Sequence, residues 1–293
     1  MKNKIFILTC ILSIQHTLIQ NTTPNQTKIP ENFIIEFHDS MSANKGYKKE
    51  KAKSDHRWEK LKLLFEEHFL NNPNFSAKPK IPKIIHQIWL GSNGNFPEKY
   101  KRFQQTWMDK HPDWEYIFWS EKEIDEFGLK NRKLYDETDN YAAKSDIARY
   151  EILYRMGGLY IDTDFECIQE FDILHHLCDF YAGCCMSHVE IMNGLVGVAP
   201  EHPIIKECID KIKPKKKRKE DAMDIIRRTG PLFLTECFFN VTEKHSSSTI
   251  VFPMTYFYPV PNDFCKNMPK NLSDWIKPES FAIHHWNFSW KPN

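Results

Sequence analysis

Apolar residues along this chain recur with two different periods. From Tyr141 to Met156 they come at helical spacing, and Gly157 and Gly158 follow as a stop, because glycine accepts the left-handed backbone in which helices end. Leu159, Tyr160 and Ile161 then read as a short buried strand. Upstream, Ile84, Ile85, Ile88 and Trp89 predict a first buried strand behind the punctuation of Pro79 and Pro82. Glu98 to Lys110 and Glu121 to Phe127 predict helices, with a strand at Tyr116 to Trp119 between them. Strands alternating with helices predict an open α/β sheet, and such sheets bind ligands beyond the carboxyl ends of their strands.

The remainder of the pattern divides the chain. Lys2 and Lys4 precede an almost wholly apolar run from Ile5 to Ile14, so residues 1–20 are expected to be a signal-like or membrane-anchor segment. Such a run is short for a spanning helix. Residues 21–78 are polar and lysine-rich, and Trp58, Leu61, Phe65 and Phe69 mark one amphipathic helix there, so this stretch is expected to be a stem. Residues 79–293 are expected to be a single α/β domain with flanking helices, and no internal repeat interrupts them.

The candidate chemistry gathers where the predicted strand ends. Asp162 and Asp164 are two residues apart in extended chain, so both carboxylates point to one side and can share a cation. Hard oxygen ligands suit Mg²⁺ or Mn²⁺, and the open positions of such an ion commonly take the phosphate oxygens of a diphosphate. On the preceding helix Asp146 and Arg149 lie three apart, hence on one face, placed to hydrogen-bond the hydroxyls of a sugar while the aspartates hold metal and ribose. Trp89 offers a flat indole face for stacking on a nucleotide base. Near the end of the chain, His284 or His285 together with Asn287 can complete the metal shell, and His285 is the one assigned to it; Ser289 and the indole N–H of Trp290 are placed to donate to the diphosphate.

These residues carry a family resemblance. The run from Ser145 to Arg149, followed by Tyr154 to Asp164, resembles the Asp-x-Asp region of the sugar-binding glycosyltransferases of family 32. That group includes the yeast initiating α-1,6-mannosyltransferase and mannosyl-inositol-phosphoceramide synthase relatives, with the clostridial glucosylating toxins as distant cousins. Lys80 to Gly91 is similar to the family's first strand, and Trp107, His111 to Glu115 and Trp119 to its second unit. His284 to Trp290 is similar to the terminal segment that closes over the diphosphate. Met192 to Pro203, with Asn193 and Gly194, resembles the segment under the donor sugar, and Thr229 to Leu232 a loop near the acceptor.

The resemblance implies a GT-A type transferase that uses Mn²⁺ or Mg²⁺ and a nucleotide-sugar, GDP-mannose ahead of a UDP-sugar. It implies transfer of a hexose with retention of configuration onto a glycan or glycolipid hydroxyl. A toxin-like enzyme that modifies a protein acceptor shares the same site. Two readings from other classes are a Mg²⁺-dependent phosphatase with an Asp-x-Asp nucleophile and a non-catalytic sugar-binding protein. The phosphatase wants a small β-branched residue after the second aspartate, whereas Phe165 follows here.

Composition adjusts this picture only at its edges. With 293 residues, 41% of them hydrophobic and 14% aromatic, the chain can bury one large core. A formal net charge of +1 offers no overall attraction for nucleic acid. The basic run Lys211 to Lys219 is a solvated loop or a contact for anionic lipid. Eight cysteines contain no C-x-x-C pair, which argues against a zinc site. Asn-x-Ser/Thr sequons at Asn21, Asn25, Asn74, Asn240 and Asn271, with the apolar N-terminal run, lead to an expectation of the secretory pathway or a membrane-associated location, Golgi-like in a eukaryote; a sixth, at Asn287, falls in the candidate site segment and is read as incidental.

Overall fold

The computed structural model describes residues 28–91, 95–215, 220–243, 248–264 and 268–287. The expected N-terminal segment 1–20, Lys216 to Lys219 of the basic run, and the candidate donors Ser289 and Trp290 lie outside these residues. The strands are β1 (Ile84–Ile88), β2 (Glu115–Trp119), β3 (Gly158–Ile161), β4 (Phe165–Cys167), β5 (Phe180–Cys184), β6 (Ile191–Val198), β7 (Thr249–Phe252) and β8 (Ala282–His284). Six of them form one sheet in the order β2-β1-β3-β6-β5-β7. β6 runs antiparallel to both of its neighbours, and the other pairings are parallel. β4 and β8 form a separate antiparallel pair.

Helices flank the sheet: α1 (Phe37–Met41), α2 (Lys49–Ala52), α3 (His56–Phe65), α4 (Glu98–Lys110), α5 (Glu121–Phe127), α6 (Arg132–Asp136), α7 (Tyr141–Met156), α8 (Asp172–Leu177), α9 (Pro203–Lys211), α10 (Ala222–Arg228) and α11 (Pro231–Thr242). α4, α5 and α7 occupy the spans that the apolar periodicity predicts. α7 starts on the Asn140 side chain, which accepts the peptide N–H groups of Ala142 and Ala143 at 2.8 and 3.3 Å, and ends at Gly157. Gly157 and Gly158 have φ of 65° and 96°, and a Cβ on Gly158 would stand 2.7 Å from the Ile84 carbonyl oxygen. That double turn delivers the chain from α7 directly into β3.

His86 on β1 secures this corner. Its Nε2 donates to the Gly157 carbonyl at 2.9 Å, and its Nδ1 accepts the Trp119 indole N–H at 3.2 Å. Burial pushes the imidazole down to about 4, so the ring stays neutral in the one tautomer that serves both bonds.

The amphipathic helix expected around Trp58 is α3, and its last turns continue to Asn71 as a wider π-helical stretch. Trp58, Leu61, Phe65 and Phe69 are all buried. Phe65 and Phe69 pack edge-on against Phe252 of β7 and against Tyr256, with ring centroids between 5.0 and 5.8 Å apart. Residues 28–78 therefore share the core of the domain they precede. Among the described residues no helix is long and apolar enough to cross a membrane.

The two-stranded β4–β8 pair controls where the end of the chain goes. Its register sets Phe165 opposite His284, directly beside Asp164. From the other side the buried Trp107 of α4 donates its indole N–H to the Phe165 carbonyl at 2.9 Å. Trp107→Phe keeps an aromatic ring but removes this donor, together with part of the buried volume. The expected result is a lower urea midpoint worth about 1–3 kcal/mol, the cost of a buried carbonyl losing a partner; an unchanged midpoint would show that the bond does not contribute.

Candidate active site

The site is built at the carboxyl ends of β1 and β3, in a cleft of about 560 Å³. β3 ends at Ile161, so Asp162 opens the turn and Asp164 closes it before β4. Asp162 is held by its backbone, whose N–H donates to the Gly194 carbonyl at 2.7 Å. A Cβ on Gly194 would lie 2.6 Å from Asp162 Oδ2, so only glycine on β6 leaves room for this carboxylate. The Tyr160 hydroxyl donates to Asp162 Oδ1 at 2.8 Å, and Arg149 Nη2 reaches the same oxygen at 3.0 Å.

Arg149 is the hub of the cluster. Its Nη1 donates to the Asn193 carbonyl at 2.6 Å and lies 3.1 Å from Asp146 Oδ1, while its plane sits 4.0 Å from the centre of the Tyr160 ring. Burial works against its charge, but Tyr160, Asp162 and Asp146 outweigh that and hold the guanidinium firmly protonated. Asp146 accepts from Asn193 Nδ2 at 2.8 Å and from Thr229 Oγ1 at 2.9 Å. Both of its oxygens are thus engaged within the protein. The one-face spacing of Asp146 and Arg149 was legible, but the structure shows them bracing Asp162 and Asn193 in addition to lining the cleft.

Asp164 faces the end of the chain. Its Oδ1 is 3.1 Å from His284 Nε2, its Oδ2 accepts the Asn287 peptide N–H at 2.7 Å, and its carbonyl accepts the His285 N–H at 3.0 Å. Burial works against ionisation here, yet His284 and the Asn287 N–H prevail and lower the Asp164 pKa. Asp162, by contrast, is raised by burial against the pull of Arg149, with Asp164 adding to the rise. Its side chain nevertheless stays 34% exposed.

One ligand atom from each of Asp162, Asp164 and His284 lies within 4.8 Å of the others. This grouping corrects the assignment of His285. Neighbouring strand residues point to opposite faces, so with His284 turned to the aspartates, His285 turns away, where its Nε2 meets Glu166 at 2.8 Å and its ring stacks on Phe103 at 4.1 Å. Asn287 lines the cleft but serves Asp164 through its backbone, its side-chain oxygen being 3.5 Å from Lys99 Nζ. Trp89 lines the cleft, its indole N–H donating to the Asn95 carbonyl at 3.2 Å and its ring packed on Phe96 and Tyr100. Ser289 and Trp290 lie outside the described residues.

Tyr160, Tyr258 and Glu190 line the site without having been singled out in the sequence. Tyr160 is two positions from Asp162, and this same-face spacing was the available signal; Tyr258 gives none. Three residues that line the cleft each keep one buried polar atom without a partner among the described residues: Arg149 Nε, Tyr258 Oη and His284 Nδ1. Leaving such groups unmet is costly, so each calls for an explanation. Two carboxylates and an imidazole suit a divalent ion, and Mn²⁺ tolerates the nitrogen better than Mg²⁺ does.

Asp146 gives the site a pH signature. Burial pushes its carboxyl up to about 6, so between about pH 4 and 6 the folded state holds a proton that the unfolded chain has released. Stability should therefore fall as pH rises through that window. In metal-free buffer the wild type should lose up to about 3 kcal/mol relative to Asp146→Asn between pH 4 and pH 6, read from urea midpoints. Parallel pH profiles would contradict the shift.

Comparison with known proteins agrees with this geometry. Residues 97–179 match the model of the glycosyltransferase sugar-binding region containing the DXD motif, a span that includes Asp146, Arg149, Asp162 and Asp164. An uncharacterized glycosyltransferase of Acanthamoeba polyphaga mimivirus is 28% identical over 223 residues, covering 73% of this chain and 85% of that one. Mannosyl phosphorylinositol ceramide synthase SUR1 of Saccharomyces cerevisiae is 34% identical over 170 residues, 56% of this chain and 44% of that one. The chain thus spans about half the length of the yeast mannosyltransferase relatives it matches. Among solved structures, the PaToxG glycosyltransferase aligns with a TM-score of 0.48 at 19% identity, over 65% of this chain and 77% of that one. On a six-stranded α/β sheet whose β3 runs into the Asp-x-Asp turn, the chain carries, at residues 97–179, a match to the glycosyltransferase sugar-binding region containing the DXD motif.

Proposed function

We propose that the chain transfers a hexose, mannose first, from a nucleotide-sugar to a hydroxyl of a glycan or glycolipid, with retention of configuration. The observation that carries this reading is the convergence of Asp162, Asp164 and His284 in the cleft that Arg149 and Trp89 also line. Those three residues would hold Mn²⁺ or Mg²⁺, whose charge offsets that of a departing diphosphate. The yeast relatives named as inositol phosphoceramide mannosyltransferases and mannosyl phosphorylinositol ceramide synthases favour mannose and a glycolipid acceptor. GDP is accordingly the first choice of base, with UDP-sugars next.

The protein's own groups divide the remaining work. Trp89 presents its indole to the base at the carboxyl end of β1. Arg149 opposes the burial that raises the Asp162 pKa and aims its carboxylate, and Asn193, pinned between Arg149 and Asp146, would lie under the transferred sugar. Asp164 is fixed by the Asn287 N–H, so donor binding and the position of the terminal segment are linked. Tyr258 lines the same cleft, and its buried hydroxyl has no partner among the described residues. The apolar run at Ile5 to Ile14 and the basic run at Lys211 to Lys219 support action at a membrane of the secretory pathway.

Purified protein with Mn²⁺ should hydrolyse one member of a panel of GDP- and UDP-sugars in the absence of acceptor. Asp164→Asn should reduce that rate by more than about 100-fold, since a metal of this kind supplies several kcal/mol of charge stabilisation. EDTA should do the same to the wild type. Donor binding that survives both Asp164→Asn and EDTA would contradict the site.

A further inference from the structure

One carboxylate in the cleft is left unused by metal and donor. Glu190 stands immediately before β6, is 5% exposed, and lines the same cavity as Asp162 and Asp164. Its Oε2 is 2.6 Å from Nε2 of His188, a side chain 61% exposed, and among the described residues this is its one hydrogen-bond partner. The cleft wall beside it is apolar, formed by Met186 and Met192. Burial raises its pKa, with His188 opposing.

A carboxylate in a cleft that receives a diphosphate is electrostatically unfavourable unless it meets cations or hydrogen-bond donors. Glu190 is not part of the metal-binding group. Glu190, Met192, Asn193 and Gly194 all line the cleft, and Gly194 is the residue that abuts Asp162. The pairing of β6 with β5 shifts register between Met192 and Val196, so four residues at about 3.3 Å each set roughly 13 Å as the upper limit of the separation between Glu190 and Gly194. A diphosphate-linked sugar anchored at Asp162 and Asp164 is long enough to cross such a distance, which would leave Glu190 on the side of the acceptor.

We propose that Glu190 is an acceptor-binding carboxylate: its Oε1 accepts hydrogen bonds from neighbouring ring hydroxyls of a polyhydroxylated acceptor, a sugar or cyclitol, while His188 fixes Oε2. This deepens the transferase reading and rests on it. A carboxylate oxygen has two lone pairs, which suits adjacent hydroxyls, and the His188 contact holds the side chain in one orientation. The methionine wall supplies an apolar surface for the carbon face of the same ring.

The test uses the full chain as wild type, Glu190→Gln and Glu190→Asp. Methyl α-mannoside and myo-inositol are titrated into protein loaded with Mn²⁺ and GDP, and acceptor-free hydrolysis of the nucleotide-sugar selected by the donor panel is measured alongside. Glu190→Gln should weaken binding of at least one of the two polyols about tenfold or more, the scale of a lost charged hydrogen bond, with Glu190→Asp intermediate. Donor KM and hydrolysis rate should stay within about twofold of wild type, a split that loss of stability would not produce. A rise in donor KM instead would place Glu190 on the transferred sugar and overturn the proposal. So would equal polyol binding by wild type and Glu190→Gln, or no saturable binding of either polyol by wild type. Failure of the wild type to hydrolyse any donor counts against the transferase reading itself, while the titration still decides the role of Glu190.

Discussion

Three carboxylates, Asp146, Asp162 and Asp164, stand close together in one largely buried cleft, and like charges in that setting must be neutralised or protonated. The fold meets this constraint by bringing in two positive or hydrogen-bond-donating groups, one from nearby in the sequence and one from far away. Arg149 arrives from α7 and His284 from β8. The rest of the architecture can be read as what those two deliveries require. The double glycine turns α7 straight into β3, so the guanidinium and the first aspartate share one corner. The short β4–β8 pair carries residue 284 across to the second aspartate. Arg149 satisfies Asp162 from inside the protein, whereas the Asp162–Asp164–His284 side keeps the open geometry of a cation site.

Local pattern carried much of this information, and its limits have physical causes. The α4, α5 and α7 helices, the β1 to β3 strands and the Asp-x-Asp turn all depend on near neighbours, which periodicity and glycine placement express directly. The pairing of Asp146 with Arg149 was visible because three residues on a helix is a contact distance. The choice between His284 and His285 was not visible. Adjacent strand residues face opposite ways, and which one faces inward is set by the register with β4, more than a hundred residues earlier. Tyr258 and Glu190 likewise enter the cleft only through tertiary packing. Residues 21–78 read as a polar stem because their lysines dominate the composition. The apolar stripe of α3 decides the outcome for the described part, burying Phe65 and Phe69 against β7.

The cleft thus has two regions of different character. Around β3 the polar groups are tightly cross-linked, each carboxylate oxygen of Asp146 and Asp164 having a partner within the protein. Such preorganisation is what an electrostatic site needs, since groups already aligned require no rearrangement when charge develops. Toward the start of β6 the wall is looser, with two methionines and a carboxylate held by a single exposed histidine. The methionines can adapt to the shape of what they contact, whereas the groups around β3 are held in place by several bonds each.

Asp162, Asp164 and His284 form the group placed to hold a divalent cation. This assignment is tested most directly by titrating Mn²⁺ into wild type, His284→Ala and His285→Ala in the presence of GDP and following the loss of the free-ion paramagnetic resonance signal. The account predicts that His284→Ala weakens Mn²⁺ binding at least about tenfold, the usual scale for disturbing a metal site, while His285→Ala binds as the wild type does. Normal binding by His284→Ala with loss in His285→Ala would contradict it.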